Sequence, residues 1–380
     1  MHLRVAIAAL AAGTLIAGLS ISAAPLANSI GVLPPDADRR CAWSVVYPKD
    51  ANYSWPDTDA AYIVQAVSIG PNEKVVITGR DPKARYWSIT TYNLEDRAVI
   101  DRVNDVTVKR QGKGPSARWT VTVTPRHNAK DPNSLKAAPL PAKGQAATFK
   151  NVTVIMYRVY LSDVNGYSGG PLPTIALHHA DGSATRVERL PACREDQIKA
   201  PEIPLGLVPA DGVPSEYFVR AEGGRFYPSK DTAYLAAEVE FDPERILVVS
   251  GKAPTVGKDR RAQVRYWSIC QNVNAGDLPV VDCVSDRDVT LTDGRYTVAV
   301  VGPGQKVDRA DYPGVTFLDW TPADSPGAVP PAFLIMRHIL PNATFRQSID
   351  SVELGKPASS AMGDYAPIIE QVPLAELRAR

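Results

Sequence analysis

Arg85-Tyr86-Trp87-Ser88-Ile89 returns later in the chain as Arg265-Tyr266-Trp267-Ser268-Ile269. Five identical residues in a row, one of them Trp, are not coincidence, and the flanking sequence keeps step. Upstream, Lys74-Val75-Val76-Ile77-Thr78-Gly79 parallels Ile246-Leu247-Val248-Val249-Ser250-Gly251. Before those, Trp55-Pro56-Asp57-Thr58-Asp59-Ala60-Ala61-Tyr62 parallels Tyr227-Pro228-Ser229-Lys230-Asp231-Thr232-Ala233-Tyr234. Downstream, Asp101-Arg102-Val103-Asn104-Asp105 matches Asp282-Cys283-Val284-Ser285-Asp286, and Arg118-Trp119-Thr120-Val121 matches Arg295-Tyr296-Thr297-Val298. The last shared run carries a single Arg: Arg158 within Val154 to Leu161, and Arg337 within Phe333 to Leu340. A fixed order of self-similar segments is the signature of an internal repeat.

The repeated segments are apolar runs of strand length, alternating or continuous, rich in Val, Ile, Thr and aromatics and separated by Gly, Pro, Asn and Asp. The 33 prolines and 26 glycines suit a turn-rich chain and would interrupt long helices. The expected fold is all-β with minor helix: two tandem jelly-roll-like antiparallel β-sandwich domains from an internal duplication, with about six strands each. Helix is expected only in short pieces, at Asp231 to Glu240 and Pro373 to Arg378. The expected organisation is a signal peptide at 1–27, a first sandwich at 28–199, a linker at 200–214 and a second sandwich at 215–380. Pro201, Pro204, Pro209 and Pro214 make that linker semi-rigid.

Met1 to Arg4 carries one fixed positive charge and leads into the uncharged run Val5 to Ile21, followed by small residues from Ser22 to Ala27. This is a secretory signal pattern, and the run is short for a membrane span. The expected location is therefore secreted or extracytoplasmic, in the cell envelope, with no stable transmembrane segment after processing. The four cysteines form an even set in a chain that leaves the reducing cytoplasm, so two disulfides are expected. Cys270 and Cys283 flank the turn-rich Asn272 to Asp277, where a cross-hairpin bridge is geometrically reasonable. Cys41 and Cys193 then remain by elimination, although four cysteines allow three pairings and spacing alone does not select one. The absence of any Cys-x-x-Cys pair argues against zinc, and no metal is expected.

The Arg-Tyr-Trp-Ser strand, the trailing strand with one Arg, and Gly169-Gly170-Pro171-Leu172-Pro173-Thr174 resemble a bacterial domain-of-unknown-function family of secreted β proteins. Arg265 to Cys270, continued as Gln271-Asn272 and Val281-Asp282-Cys283, is similar to its exported two-copy members. The resemblance covers most of the chain after the leader and implies a jelly-roll-like sandwich. The family has no established reaction, so it implies a fold and no chemistry.

Charge is nearly balanced, with 42 basic and 41 acidic residues and no basic stretch with interleaved aromatics, which excludes the usual nucleic-acid footprint. No phosphate-cradling loop, dinucleotide fingerprint or haem motif occurs, so no cofactor is expected. Asp282, Asp286 and Asp288 share strand parity, about 7 Å between alternate residues, and form the weak candidates for a calcium site or a glycosidase acid and base pair. His178 is a candidate general base; strand alternation sends it and His179 to opposite faces. Gly166-Tyr167-Ser168-Gly169-Gly170 matches a nucleophile elbow formally, but Pro171-Leu172-Pro173 follows where a helix is needed. Tyr92, Trp119 and Trp320 are candidate platforms for stacking on sugar rings. Arg158 and Arg337 read first as buried strand cations paired with Asp59 or Asp231, and second as ligand anchors. The leading expectation is a non-enzymatic envelope or extracellular module that binds a polysaccharide or other surface polymer; the rival is a secreted hydrolase using Asp282 and Asp286.

Overall fold

The computed structural model describes residues 41–43, 45–47, 52, 54–163, 168–181, 184–193, 216–221, 227–259, 261–274, 278–321 and 329–379. The first half contains β1 (Val45–Tyr47), β2 (Ala60–Ser68), β3 (Glu73–Gly79), β4 (Ala84–Asn93), β5 (Val99–Asn104), β6 (Arg110–Gln111), β7 (Arg118–Thr124), β8 (Ser134–Lys136), β9 (Val152–Ser162), β10 (Thr174–Asp181) and β11 (Ala184–Arg189). The second contains β12 (Val219–Ala221), β13 (Thr232–Val239), β14 (Ile246–Lys252), β15 (Tyr266–Asn272), β16 (Val280–Ser285), β17 (Leu291–Thr292), β18 (Arg295–Val301), β19 (Thr316–Asp319), β20 (Ala332–Ile339) and β21 (Ile368–Val372).

Each half is a two-sheet sandwich with one strand order. The first half has sheets β1-β2-β9-β4-β5 and β11-β10-β3-β7-β6, and the second has β12-β13-β20-β15-β16 and β17-β18-β14-β21. Pairing is antiparallel except where β8 joins β7 and β19 joins β18 in parallel. Ile63, Ile77, Trp87, Trp119, Val121, Ile155 and Tyr157 from both sheets fill the first core. Leu235, Leu247, Trp267, Ile269, Tyr296, Val298 and Met336 fill the second. Gly79 and Gly251 sit where they do because an aromatic ring lies on each: a Cβ would fall 2.5 Å from Trp119 Cζ2 or 2.6 Å from Tyr296 Oη.

Strands β9, β15 and β20 are buried almost end to end. A strand buried on one face alternates, and one covered on both faces reads as a continuous run. Their second faces are covered by the other half. Tyr86 and Tyr160 of the first sandwich share an apolar cluster with Tyr266 and Ile339 of the second, while Trp55 packs with Phe333 and Ile335. Both sandwiches belong to a single compact unit.

Both expected disulfides are present: Cys41–Cys193 spans 152 residues, and Cys270–Cys283 joins directly opposed residues of β15 and β16. Three expectations need correction. Each half has more than six strands, because short edge strands such as β6 and β17 carry little apolar signal. The segment expected as helix at Asp231 to Glu240 is strand β13, whose Ala233, Leu235, Ala237 and Val239 enter the core at period two. The C-terminal segment forms a 3-10 turn, Leu374–Ala379, not an α-helix. The signal peptide at 1–27, the linker at 200–214 and Gly166-Tyr167 lie outside the described residues. No helix among the described residues is long and apolar enough to cross a membrane.

Candidate functional site: the seam between the sandwiches

Alternation along the Arg-Tyr-Trp-Ser strand divides its labour. Trp87 and Trp267 enter their own cores, while Tyr86 and Tyr266 point across the seam. Tyr86 Oη donates to Asp231 Oδ2 at 2.7 Å, and Arg102 Nε stands 2.8 Å from Oδ1. Reciprocally, Tyr266 Oη donates to both oxygens of Asp57 at 3.0 and 2.9 Å, and Ser268 Oγ donates to Oδ2 at 2.7 Å. The flanking arginines also cross over: Arg85 pairs with Asp286 at 2.8 Å and Arg265 with Asp105 at 2.6 Å. Every such pair takes one member from each sandwich, as in the self-complementary contact of a two-fold dimer.

The single arginines of β9 and β20 serve the same junction. Arg158 Nη2 donates to the Tyr227 carbonyl and its guanidinium lies over the rings of Tyr62 and Tyr92. Arg337 Nη2 donates to the Trp55 carbonyl at 2.7 Å, and its Nη1 stands 3.7 Å from Asp57 Oδ2 and 2.7 Å from Cys270 Sγ. The expected pairing of these cations with Asp59 or Asp231 inside each copy is thus replaced by pairing across the seam. Asp231 is held by Tyr86 and Arg102, and Asp59 by Arg287 at 2.8 Å. Removing one member of such a pair would leave a buried charge uncompensated, which is why the residues recur in both halves.

Burial shapes the protonation of these groups. It pushes the Asp105 and Asp286 carboxyls up, and the arginine beside each pulls them back only in part. Tyr86 and Tyr266 are driven far above the ordinary phenol range by burial and by Asp231 and Asp57 respectively, so both remain neutral donors.

At one end of the seam the sandwiches leave a cleft of about 310 Å³, lined by Asp81, Pro82, Trp87, Asp105, Val106, Arg110, Lys258 and Arg265. Arg110 is engaged by Asp81 at 2.8 Å and by the Asp105 carbonyl at 2.7 Å. Lys258 reaches across the seam to the Ala84 carbonyl at 2.7 Å. Two buried polar atoms of the lining, Asp105 Oδ1 and Trp87 Nε1, have no hydrogen-bond partner. The counterpart of Asp105 in the second sandwich, Asp286, is satisfied on both oxygens, by Arg85 and by the Trp267 amide at 3.4 Å. Sheet register sets Arg110 opposite Trp119 and Leu291 opposite Tyr296, so the second sandwich has Leu291 where the first has Arg110. The connection between β14 and β15, residues 253–265, is longer than its counterpart 80–83, and it carries the Lys258 that reaches the first sandwich.

Most candidates named from sequence lie elsewhere. Tyr92, Trp119 and Trp320 are at most 2 % exposed, so none offers a ring face to a sugar. Tyr92 instead donates to the Pro228 carbonyl, Trp119 stacks on Trp87, and Trp320 Nε1 donates to the Pro330 carbonyl. As ligand anchors Arg158 and Arg337 are corrected too: both are 3 % exposed and committed to the seam. Neither Asp282 nor Asp286 lines the cleft. Asp282 accepts from the Cys283 amide at 2.8 Å, and Asp286 is clamped by Arg85. His178 stands opposite Lys74 in the outer sheet, its imidazole lowered by burial and then by Lys74 and His179. His179, on the other face, contacts Glu73 at 2.6 Å. Asp57, Cys270 and Cys283 gather three ligand-type atoms within 4.8 Å, but a disulfide sulfur has no thiolate to offer a metal. Sequence reasoning missed Lys258, Arg110 and Asp81; the unequal connections 80–83 and 253–265 were the visible signal.

No protein-family model and no curated protein matches this chain. Among solved structures it is similar to an uncharacterized protein from Burkholderia cenocepacia, 13 % identical over 90 % of this chain and 86 % of that one, with a TM-score of 0.54. It is also similar to the VPA0106 protein from Vibrio parahaemolyticus, 14 % identical over 86 % of this chain and 92 % of that one, with a TM-score of 0.45. The likeness to the Burkholderia protein is one of fold: an all-β chain built from antiparallel sheets.

Proposed function

We propose that this protein is an exported, non-enzymatic binding module of the cell envelope or extracellular space that holds part of a polysaccharide or other surface polymer in the seam cleft. The observation that carries this reading is the cleft itself. It has the volume of a small ligand site, and it retains an unsatisfied carboxylate oxygen and an indole N–H beside the paired charges Arg110–Asp81 and Arg265–Asp105. Export rests on the leader pattern and on two disulfides, which persist in oxidising compartments. The rival hydrolase reading loses its named residues, because Asp286 is fixed on Arg85 and Asp282 on a backbone amide.

Mixing the purified chain from residue 28 onward with isolated envelope polymers tests the proposal. Protein should leave solution with the polymer without releasing soluble fragments, and an Asp81→Ala/Arg110→Ala variant should bind less. Fragment release by the wild type, or undiminished binding by that variant, would contradict it.

A further inference from the structure

Among the charged groups lining the cleft, Arg110 is neutralised by Asp81 and Arg265 by Asp105. Lys258 is different: its only hydrogen bond among the described residues is to a neutral carbonyl, that of Ala84. An ammonium has three donors, so two remain for a ligand, along with a full positive charge. Close by, Asp105 Oδ1 is buried without a donor, on a side chain only 8 % exposed. The second oxygen of that carboxylate is already held by Arg265, which fixes the orientation of the first. A ligand that satisfies both features must bring an anion for Lys258 and an O–H or N–H for Asp105.

Resting on the binding role proposed above, we infer that the cleft selects an acidic sugar unit, its carboxylate on the Lys258 ammonium and a neighbouring hydroxyl donating to Asp105 Oδ1. Among the described residues, the counterpart positions of the second sandwich lack this pairing of features. There the equivalent carboxylate, Asp286, has both oxygens occupied, and Leu291 stands where the cleft has Arg110. One such site follows among the described residues, despite the matching strand order of the two sandwiches.

Calorimetric titration of the full processed chain with trigalacturonate, with the matched neutral galactotriose and with inorganic phosphate tests the inference. Trigalacturonate should bind with a stoichiometry of one and more tightly than either other probe. Lys258→Gln should weaken it by about tenfold or more, the worth of a charge-assisted hydrogen bond. Lys258 is exposed, so its unfolding midpoint should match the wild type. Equal binding of galactotriose, or no effect of Lys258→Gln, overturns charge selection while leaving a sugar-binding role in place. Phosphate binding as tightly as trigalacturonate overturns the hydroxyl contact. Failure of all three probes overturns the acidic-sugar assignment, while the binding role itself stands or falls with the polymer-depletion experiment.

Discussion

Gly79 and Gly251 show how one atom constrains each core. Neither has a left-handed backbone, so the demand is purely for space: Trp119 and Tyr296 occupy the volume a Cβ would need. Gly79→Ala and Gly251→Ala should each cost about 1–3 kcal/mol, the usual penalty for overpacking, read from urea unfolding midpoints. The half-buried Asp59 and the buried His338 act on stability with opposite sign. Burial, with Asp57 and Asp288 nearby, pushes Asp59 up to about 7 from 3.8. The folded chain then holds a proton the unfolded chain has released, so this stability is complete below about pH 4 and fades as pH rises through 7. Burial takes His338 the other way, from 6.5 down to about 3. Its stability is present above about pH 6.5 and is lost as pH falls toward 3. Thermal midpoints across this range should show Asp59→Asn flattening the alkaline decline and His338→Gln the acid one; unchanged slopes would exclude these groups as the cause.

At the scale of elements, most strands that bear the cores were legible because their composition and period survive in one dimension, but β13 was not, its Ala-rich run Ala233 to Ala237 reading as helix. Val154 to Leu161 and Phe333 to Leu340 were recognisable as strands, and the end-to-end burial of β9 and β20 explains why they read as continuous runs. The surface covering their second face was not legible. The repeat aligns Asp59 with Asp231, and the carbonyls of these two residues accept from Leu161 and Leu340 respectively. Yet the carboxylate that meets Tyr266 belongs to Asp57, two residues earlier, while Asp59 pairs with Arg287. A small local asymmetry thus hid the cross-seam pairing. The aromatic candidates failed for a related reason: large rings in strands are wanted by the core first, and Trp119 and Trp320 lie there. The cleft was the least legible part, since its lining unites residues 81–110 with residues 258–265 through tertiary packing alone.

For the molecule as a whole, the reciprocal contacts imply that neither sandwich is a self-sufficient domain. Cut apart, the first would lose the partners of Arg85 and Arg102, and the second those of Arg265, Arg337 and Tyr266. The two halves should therefore unfold together. Differential scanning calorimetry of the wild type and of Arg265→Ala tests this most directly. A single transition is predicted, with a calorimetric to van't Hoff enthalpy ratio of about 1. Arg265→Ala, which strands the buried Asp105 carboxylate, should lower the stability of that one transition by about 3 kcal/mol without splitting it. Two separate transitions in the wild type, with only one of them moved by Arg265→Ala, would contradict a cooperative seam.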